Sequence, residues 1–374
     1  MDLKKAEHIV RDIFAGAGIT IGGPEPWDIA VHEPRFYPRL LQHGSLGFGE
    51  AYMDGWWETP ALEECIDRVL RADMKNTVKG DWRMWSLPIR ARLFNLQSRS
   101  RAFQVAEAHY DIGNDLYQRM LDKRMVYTCG YWRTAKDLDE AQEHKLDLIC
   151  RKVGLRPGMK VLDLGCGWGG FAAFAAERYG CEVRGVSVSR EQVALARELW
   201  KGLPVEFILG DYREITGVYD AVVSIGMAEH IGYKNHRTMI EVIHRSLRPE
   251  GIALVHTIAN NVSRRHGIPF IEKYVFPNAC APSLSQLGKA IEGLFVLEDL
   301  QNIGPDYYHT LMAWWRNFDA AWPELRGARY DDRFYKLWKF YLLGSAAASK
   351  CRDGQLFHLV LTRSGRPQPE CRLS

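Results

Sequence analysis

One stretch limits what this chain can fold into more than any other: Val161-Leu162-Asp163-Leu164-Gly165-Cys166-Gly167-Trp168-Gly169-Gly170, which runs on into Phe171-Ala172-Ala173-Phe174-Ala175-Ala176-Glu177-Arg178. An apolar run of strand formers breaks at two glycines and resumes as a helix-favouring segment. The turn needs residues without Cβ, so that the backbone can bend tightly and lie against a ligand. The helix start then offers unpaired N–H groups beside that ligand. Gly165, Gly167 and Gly170 also satisfy the G-x-G-x-x-G spacing of dinucleotide-binding domains, which by itself is a weak signal.

Two positions separate the possible cofactors. Asp163 stands two residues before the first glycine, at the strand's end, where enzymes that use S-adenosylmethionine typically carry an acidic residue. A nicotinamide site asks for an acid at the end of the next strand. That strand reads Glu182-Val183-Arg184-Gly185-Val186 and ends in Ser187. The pattern therefore favours adenosylmethionine over a nicotinamide.

From residue 160 onward strands and helices alternate, which predicts an α/β, doubly wound, mostly parallel sheet. Strands are expected at 160–164, 182–186, 205–209, 219–224, 251–256, 294–299 and 356–362, seven in all, and helices at 169–179, 190–200, 236–247 and 284–292. Segment 257–282 breaks the alternation and reads as a lid or substrate loop. Residues 307–349 are helical and aromatic, and 363–374 form a polar tail. At 374 residues the chain has room for two domains. We expect a smaller N-terminal α/β domain over 1–100 and a catalytic domain over 101–374.

The N-terminal region reads as a helix at 9–14, a strand at 29–31 and a helix start at 36–41. The glycine-rich, aromatic run 44–57 reads as a packed connection more than a binding loop. Between 75 and 101, Lys75, Lys79, Arg83, Arg90, Arg92, Arg99 and Arg101 face one acid, Asp81, with Trp82, Trp85, Leu93 and Phe94 among them. Such a segment suits an anionic membrane surface. It also suits nucleic acid, or a solvated helix face packed on the rest of the protein. Residues 103–152 read as mostly helical, broken by the aromatic stretch Met125–Trp132.

A net charge of +3 argues for no partner. The eight cysteines include no C-x-x-C pair, so no metal site is expected. The first residues lack an apolar signal core, and no apolar run is long enough to span a bilayer. These features suggest a cytoplasmic protein whose membrane contact, if any, is peripheral.

In open α/β sheets ligands bind beyond the carboxyl ends of the strands. That rule selects Gly165, Cys166, Gly167 and Gly169, then Ser187, Ser189 and Gln192, then Asp211 and Tyr212, then Glu229 with His230, and last His256. Each has a plainer reading. Asp211 fits a turn, His230 a helix cap, and His256 a buried histidine satisfied by backbone.

The chain resembles the bacterial cyclopropane fatty acid synthases. The matching pieces are Gly44-Ser45-Leu46-Gly47 with Tyr52-Met53-Asp54-Gly55-Trp56-Trp57, Ala91 to Ser98, His109-Tyr110-Asp111, Tyr127-Thr128-Cys129, Val161 to Gly170, Gly226 to His230, His256-Thr257-Ile258, Lys273 to Asn278, and Asp306-Tyr307 with Thr310 to Trp314. They cover nearly the whole chain, including the N-terminal region that the related mycolic acid methyltransferases largely lack. The resemblance implies transfer of a methylene from adenosylmethionine onto the cis double bond of an unsaturated phospholipid acyl chain, with a bicarbonate ion as base. It places Cys129, Glu229, His256, Tyr307 and the Ile258 backbone around that ion. Tyr127, Thr128, Asp163, the glycine turn, Ser187 to Gln192, and Asp211 with Tyr212 would hold the cofactor. It further implies peripheral contact with membrane phospholipids through the first region, no nucleic-acid partner, and possible homodimers. One departure stands out: a late-helix cysteine of the family falls on Ser345 here, so no nucleophile is assigned there. Thr128, where the family more usually has Ser, keeps the hydroxyl.

Overall fold

A computed structural model describes residues 2–72 and 112–373; the basic segment 75–101 and His109-Tyr110-Asp111 lie outside them. Seven strands form one sheet: β3 (Lys160–Leu164), β4 (Glu182–Ser187), β5 (Val205–Leu209), β6 (Tyr219–Ile225), β7 (Leu247–Asn260), β8 (Val296–Asn302) and β9 (Gly354–Thr362). Their order is β5-β4-β3-β6-β7-β9-β8. The first five run parallel, and β9 is antiparallel to both of its neighbours. This is the doubly wound, mostly parallel sheet expected from the alternation. Strand β7 is longer than its local pattern suggests, because antiparallel pairing with β9 continues as far as Asn260 opposite Gly354.

Helices cover both faces. On one side α5 (Leu138–Lys152), α6 (Gly170–Tyr179) and α7 (Arg190–Leu199) enclose a core that includes Leu146, Ile149, Phe171, Phe174 and Val193. On the other, α8 (His236–Ser246) and α10 (Leu284–Ile291) bury Met239, Ile240, Ile243 and Leu287. The aromatic region resolves into α11 (Asp306–Leu325) and α12 (Asp332–Lys350), which with α4 (Asn114–Met120) form a third core rich in rings, among them Trp314, Trp338 and Tyr117. The lid between β7 and α10 carries one short helix, α9 (Pro269–Tyr274).

Among the described residues the N-terminal unit contains α1 (Leu3–Ala15), α2 (Phe36–Met53) and α3 (Leu62–Arg71), with a two-stranded ribbon of β1 (Ala30–Val31) and β2 (Trp57–Glu58). Its apolar core takes in Leu343 and Ala347 of α12, so it shares packing with the larger unit. The run 44–57 is mostly helix. A kink at Gly44 (φ 54°, ψ −132°) divides α2, and Gly49 lets the second half approach the lid closely. A Cβ at Gly49 would collide with the ring of Phe270 on α9 and come within 2.9 Å of Phe340 on α12. Beside it Glu50 accepts from Lys273 Nζ (2.5 Å), Tyr274 OH (2.8 Å) and Arg39 Nη2 (2.9 Å). These partners, acting against burial, pull the carboxyl down to about 2. Gly49→Leu is therefore expected to destabilise the protein by about 1–3 kcal/mol through overpacking, read as a lower denaturant midpoint. An unchanged midpoint would show that the lid yields without cost.

Candidate active site

The carboxyl ends of β3, β6 and β7 open into a cavity of about 270 Å³. The glycine turn forms one wall. Gly165 has φ +82° and Gly167 φ +55°, which favour glycine on backbone grounds. A Cβ on Gly167 would meet nothing closer than Gln192 Nε2 at 3.9 Å, so its Cα faces open space, as a cradle for a ligand requires. Asp163, Gly165, Cys166, Gly167 and Gln192 all line the cavity. Asp163 is 1% exposed, and its Oδ1 has no hydrogen-bond partner. Burial raises its carboxyl to about 7, against the opposing pull of the Lys145 ammonium.

Tyr127, Thr128 and Cys129 form the facing wall. Tyr127 OH and Tyr341 OH share a hydrogen bond of 2.8 Å. The Thr128 hydroxyl accepts from Lys145 Nζ at 2.9 Å. Its methyl occupies space that a side chain at position 226 would need, since a Cβ on Gly226 would lie 2.5 Å from Thr128 Cγ2. The Cys129 thiol donates to the Gly130 carbonyl at 3.1 Å, and burial raises it far above the ordinary thiol range, so it stays protonated.

Glu229, His256, Ile258 and Tyr307 line the same cavity. Glu229 Oε1 accepts the Ile258 N–H at 2.6 Å, while Oε2 is buried without a partner. Burial raises this carboxyl to about 7. The Ile258 N–H is thus committed to Glu229. His256 is 1% exposed; its Nδ1 lies 2.8 Å from Nε2 of His358 in one hydrogen bond, and its Nε2 has no partner. Burial, then the neighbouring His358 and Lys145, keep His256 neutral. Around these polar groups stand rings: Tyr307 edge-on to Trp314 (5.9 Å), Trp314 on Tyr127 (5.0 Å), and Phe276 between Tyr127 and Tyr341. His230 also lines the cavity, stacked edge-on against Phe276 at 5.0 Å and lowered by burial to about 4.

Several sequence candidates lie off this wall. Ser189 caps α7 by accepting from the Gln192 backbone N–H, and Ser187 Oγ donates to Gln192 Oε1, so Ser187 fixes the Gln192 side chain while Ser189 fixes the helix start. Asp211 caps a short 3-10 turn, and its carboxylate is paired with Arg213. Tyr212 is buried in the core beside the sheet. Gly169 opens α6 against Phe207, whose Cζ would lie 2.5 Å from an added Cβ. Ser345 does line the cavity.

Two residues that sequence reasoning missed are central. Lys145 is fully buried in the cavity wall, and burial lowers it to about 8. The signal was present: Gln142, Lys145 and Lys152 fall on the same stripe of α5 as Leu138, Ala141 and Ile149. His358 is the one charged or strongly polar side chain in the buried run Leu356–Leu361, and strand register brings it opposite His256.

A mostly parallel sheet with a glycine turn after β3, a buried acid before it and a ring-lined chamber beyond it defines an adenosylmethionine-dependent methyltransferase. Comparison with known proteins narrows the class. The family described as mycolic acid cyclopropane synthetase matches residues 97–359. The chain is 47% identical over 356 residues to the cyclopropane-fatty-acyl-phospholipid synthase of Escherichia coli (strain K12), covering 95% of this chain and 93% of that one. It is 30% identical over 389 residues to the tuberculostearic acid methyltransferase UfaA1 of Mycobacterium tuberculosis, covering 97% and 90%. Among solved structures, the mycolic acid cyclopropane synthase CmaA1 complexed with SAH and CTAB aligns with a TM-score of 0.65 at 28% identity, over 70% of this chain and 98% of that one. The chain belongs to the mycolic acid cyclopropane synthetase family.

Proposed function

We propose that this protein transfers a methylene group from S-adenosylmethionine to the cis double bond of an unsaturated phospholipid acyl chain, forming a cyclopropane ring. The observation that carries this reading is the pairing of two unpartnered polar atoms, Glu229 Oε2 and His256 Nε2, with a ring-lined chamber that adjoins the glycine turn. Buried polar atoms without partners are costly in a structure that needs them only for packing. The 47% identity to a synthase named for this product supports the same reading.

The residues fit the cofactor. The open face of Gly167, the carboxyl of Asp163, Gln192 and the Tyr127 and Thr128 wall would hold it, and when bound it supplies an electrophilic methyl. An alkene is a poor nucleophile, so the chamber's first task is alignment. Tyr127, Trp314, Phe276, Tyr307 and Tyr341 offer π faces to the positive charge that develops on the acyl chain. The same apolar lining excludes water, which would trap that charge as an alcohol. Glu229, His256 and Tyr307, with Cys129 beside them, would hold a bicarbonate ion, which would supply the base that takes the last proton. With the Ile258 N–H already bound to Glu229, the anion would rest on side chains first.

Incubation with unsaturated phospholipid vesicles and labelled adenosylmethionine, followed by mass spectrometry of the extracted lipid, tests the proposal. A gain of one carbon and two hydrogens with loss of the alkene supports it. A methyl branch in place of the ring would favour a methyl-branching reaction instead. Tyr307→Phe is expected to lower turnover by about 10²-fold and leave adenosylmethionine binding by calorimetry unchanged. Full turnover in this variant would remove Tyr307 from the reaction.

A further inference from the structure

The cavity reaches the surface through the lid. Arg264 and Ile268 both line it, yet Ile268 is 44% exposed and Arg264 is partly exposed. The mouth therefore runs along residues 260–268. Two further exposed apolar side chains stand on its rim, Val262 at 59% and Leu284 at 47%. They are held together: Asn260 bridges Ser283 through the backbone, and the hydroxyls of Ser263 and Ser283 share a hydrogen bond of 2.7 Å.

The rim is also basic. Arg264, Arg265 and His266 follow one another in sequence. Among the described residues the Arg264 guanidinium has no hydrogen bond or ion pair, and that of Arg265 lies 5.9 Å from the Tyr233 ring. The one acid between 260 and 284, Glu272, is partly buried and accepts the Gly267 N–H at 2.8 Å, so its charge is turned to the backbone. Exposed apolar side chains beside arginines have the chemistry of an interfacial anchor, in which the apolar groups enter the acyl boundary and the cations meet phosphates.

We propose that this lid rim, residues 260–268 with Leu284, seats the chamber mouth on a phospholipid membrane, with Val262, Ile268 and Leu284 in the interface and Arg264 and Arg265 on lipid phosphodiesters. The inference rests on the lipid substrate proposed above. It adds the lid to the basic segment 75–101 as a surface for membrane contact. Its physical sense is that an acyl chain passes from bilayer to chamber without crossing water.

The test compares full-length wild type with the variant Val262→Ser/Arg265→Gln/Leu284→Ser, whose three positions lie outside the cavity wall. Sedimentation with unsaturated phosphatidylglycerol and phosphatidylethanolamine vesicles should show partitioning reduced by about tenfold or more, with adenosylmethionine affinity and the melting midpoint unchanged. Val262→Trp should strengthen partitioning, which a misfolded variant would not do. Inorganic phosphate at matched ionic strength should leave wild-type partitioning intact; displacement would mean a free-phosphate site and overturn the lipid assignment. Equal partitioning of the triple variant and wild type, with lipid still converted, would overturn the docking surface and leave the reaction standing. Normal vesicle dependence on these residues without any lipid product would overturn the reaction and leave the docking surface standing.

Discussion

Glu229→Gln is expected to abolish most turnover while making the cofactor-free protein more stable at neutral and alkaline pH. The loss should be about 10²–10⁴-fold, the usual worth of a positioned general base, because Glu229 would hold the ion that acts as that base. Adenosylmethionine affinity should stay within about twofold, since the Glu229 carboxylate is bonded to the Ile258 N–H and makes no bond to the glycine turn. The gain has a separate cause. Burial raises the folded-state carboxyl from 4.5 to about 7. Between those values the folded protein holds a proton that the unfolded chain has released, so stability falls as pH rises across that window and stays lower above it. The penalty at pH 8 is on the order of 3 kcal/mol, and a neutral amide of the same shape escapes it. Melting curves at pH 8 and pH 4.5 check the sign: the variant should exceed wild type at the higher pH and lose that advantage at the lower. Equal activity would remove Glu229 from the chemistry. Equal stability at both pH values would mean that the carboxylate is solvated in the protein, contrary to its burial.

That opposition of stability and activity explains which parts of the site were legible in the sequence. The turn from Val161 to Gly170 could be read because its constraints are local: a strand pattern, glycines where a side chain would obstruct, and an alanine-rich helix. Glu229 and His256 followed from the rule that ligands sit beyond strand ends. Other positions obey that rule for a different reason. Ser189 and Asp211 occupy strand-end turns, but their oxygens cap the backbone that follows, and Asp211 also holds Arg213. Sequence position alone does not distinguish capping from ligand binding. Lys145 was hidden by the opposite bias, because a lysine in an amphipathic helix is normally placed in solvent. Gly49 was hidden because glycine-rich runs suggest loops, whereas here the missing side chain makes room for Phe270 and Phe340 from elements more than 200 residues away. The pairing of His256 with His358 depends on an antiparallel register between β7 and β9 that no local pattern encodes.

The second large effect is expected from that pairing. The two imidazoles share one hydrogen bond, between His256 Nδ1 and His358 Nε2, and burial lowers His358 to about 3, so both rings are neutral at physiological pH. Each neutral ring carries one proton, which allows two arrangements. If His256 donates, its Nε2 reaches the chamber as an acceptor, and His358 must keep its proton on Nδ1, a buried donor with no partner. If His358 donates, its Nδ1 is left as a bare lone pair, and His256 presents Nε2–H to the chamber. Each arrangement leaves one buried donor without a protein partner, at His358 Nδ1 or at His256 Nε2, and such donors are costly; only in the second does that donor face the chamber, where a bound anion would accept it. The second arrangement is therefore favoured, and it suits a site that must hold an anion beside Glu229. On this argument His358 is a positioning residue that sets which proton His256 offers. His358→Phe removes that control and is expected to lower turnover by about 10–100-fold, by analogy with the loss of a partner that orients a metal-bound histidine. His358→Gln keeps a nitrogen donor near the Nε2 position and should recover a substantial part of the rate, which a purely structural role would not predict. Nitrogen NMR of histidine-labelled protein reads the tautomer directly: wild type should show His256 protonated at Nε2, and His358→Phe should release it to a mixture. A wild-type His256 protonated at Nδ1 would reverse the assignment, because the chamber would then hold an acceptor where an anion needs a donor.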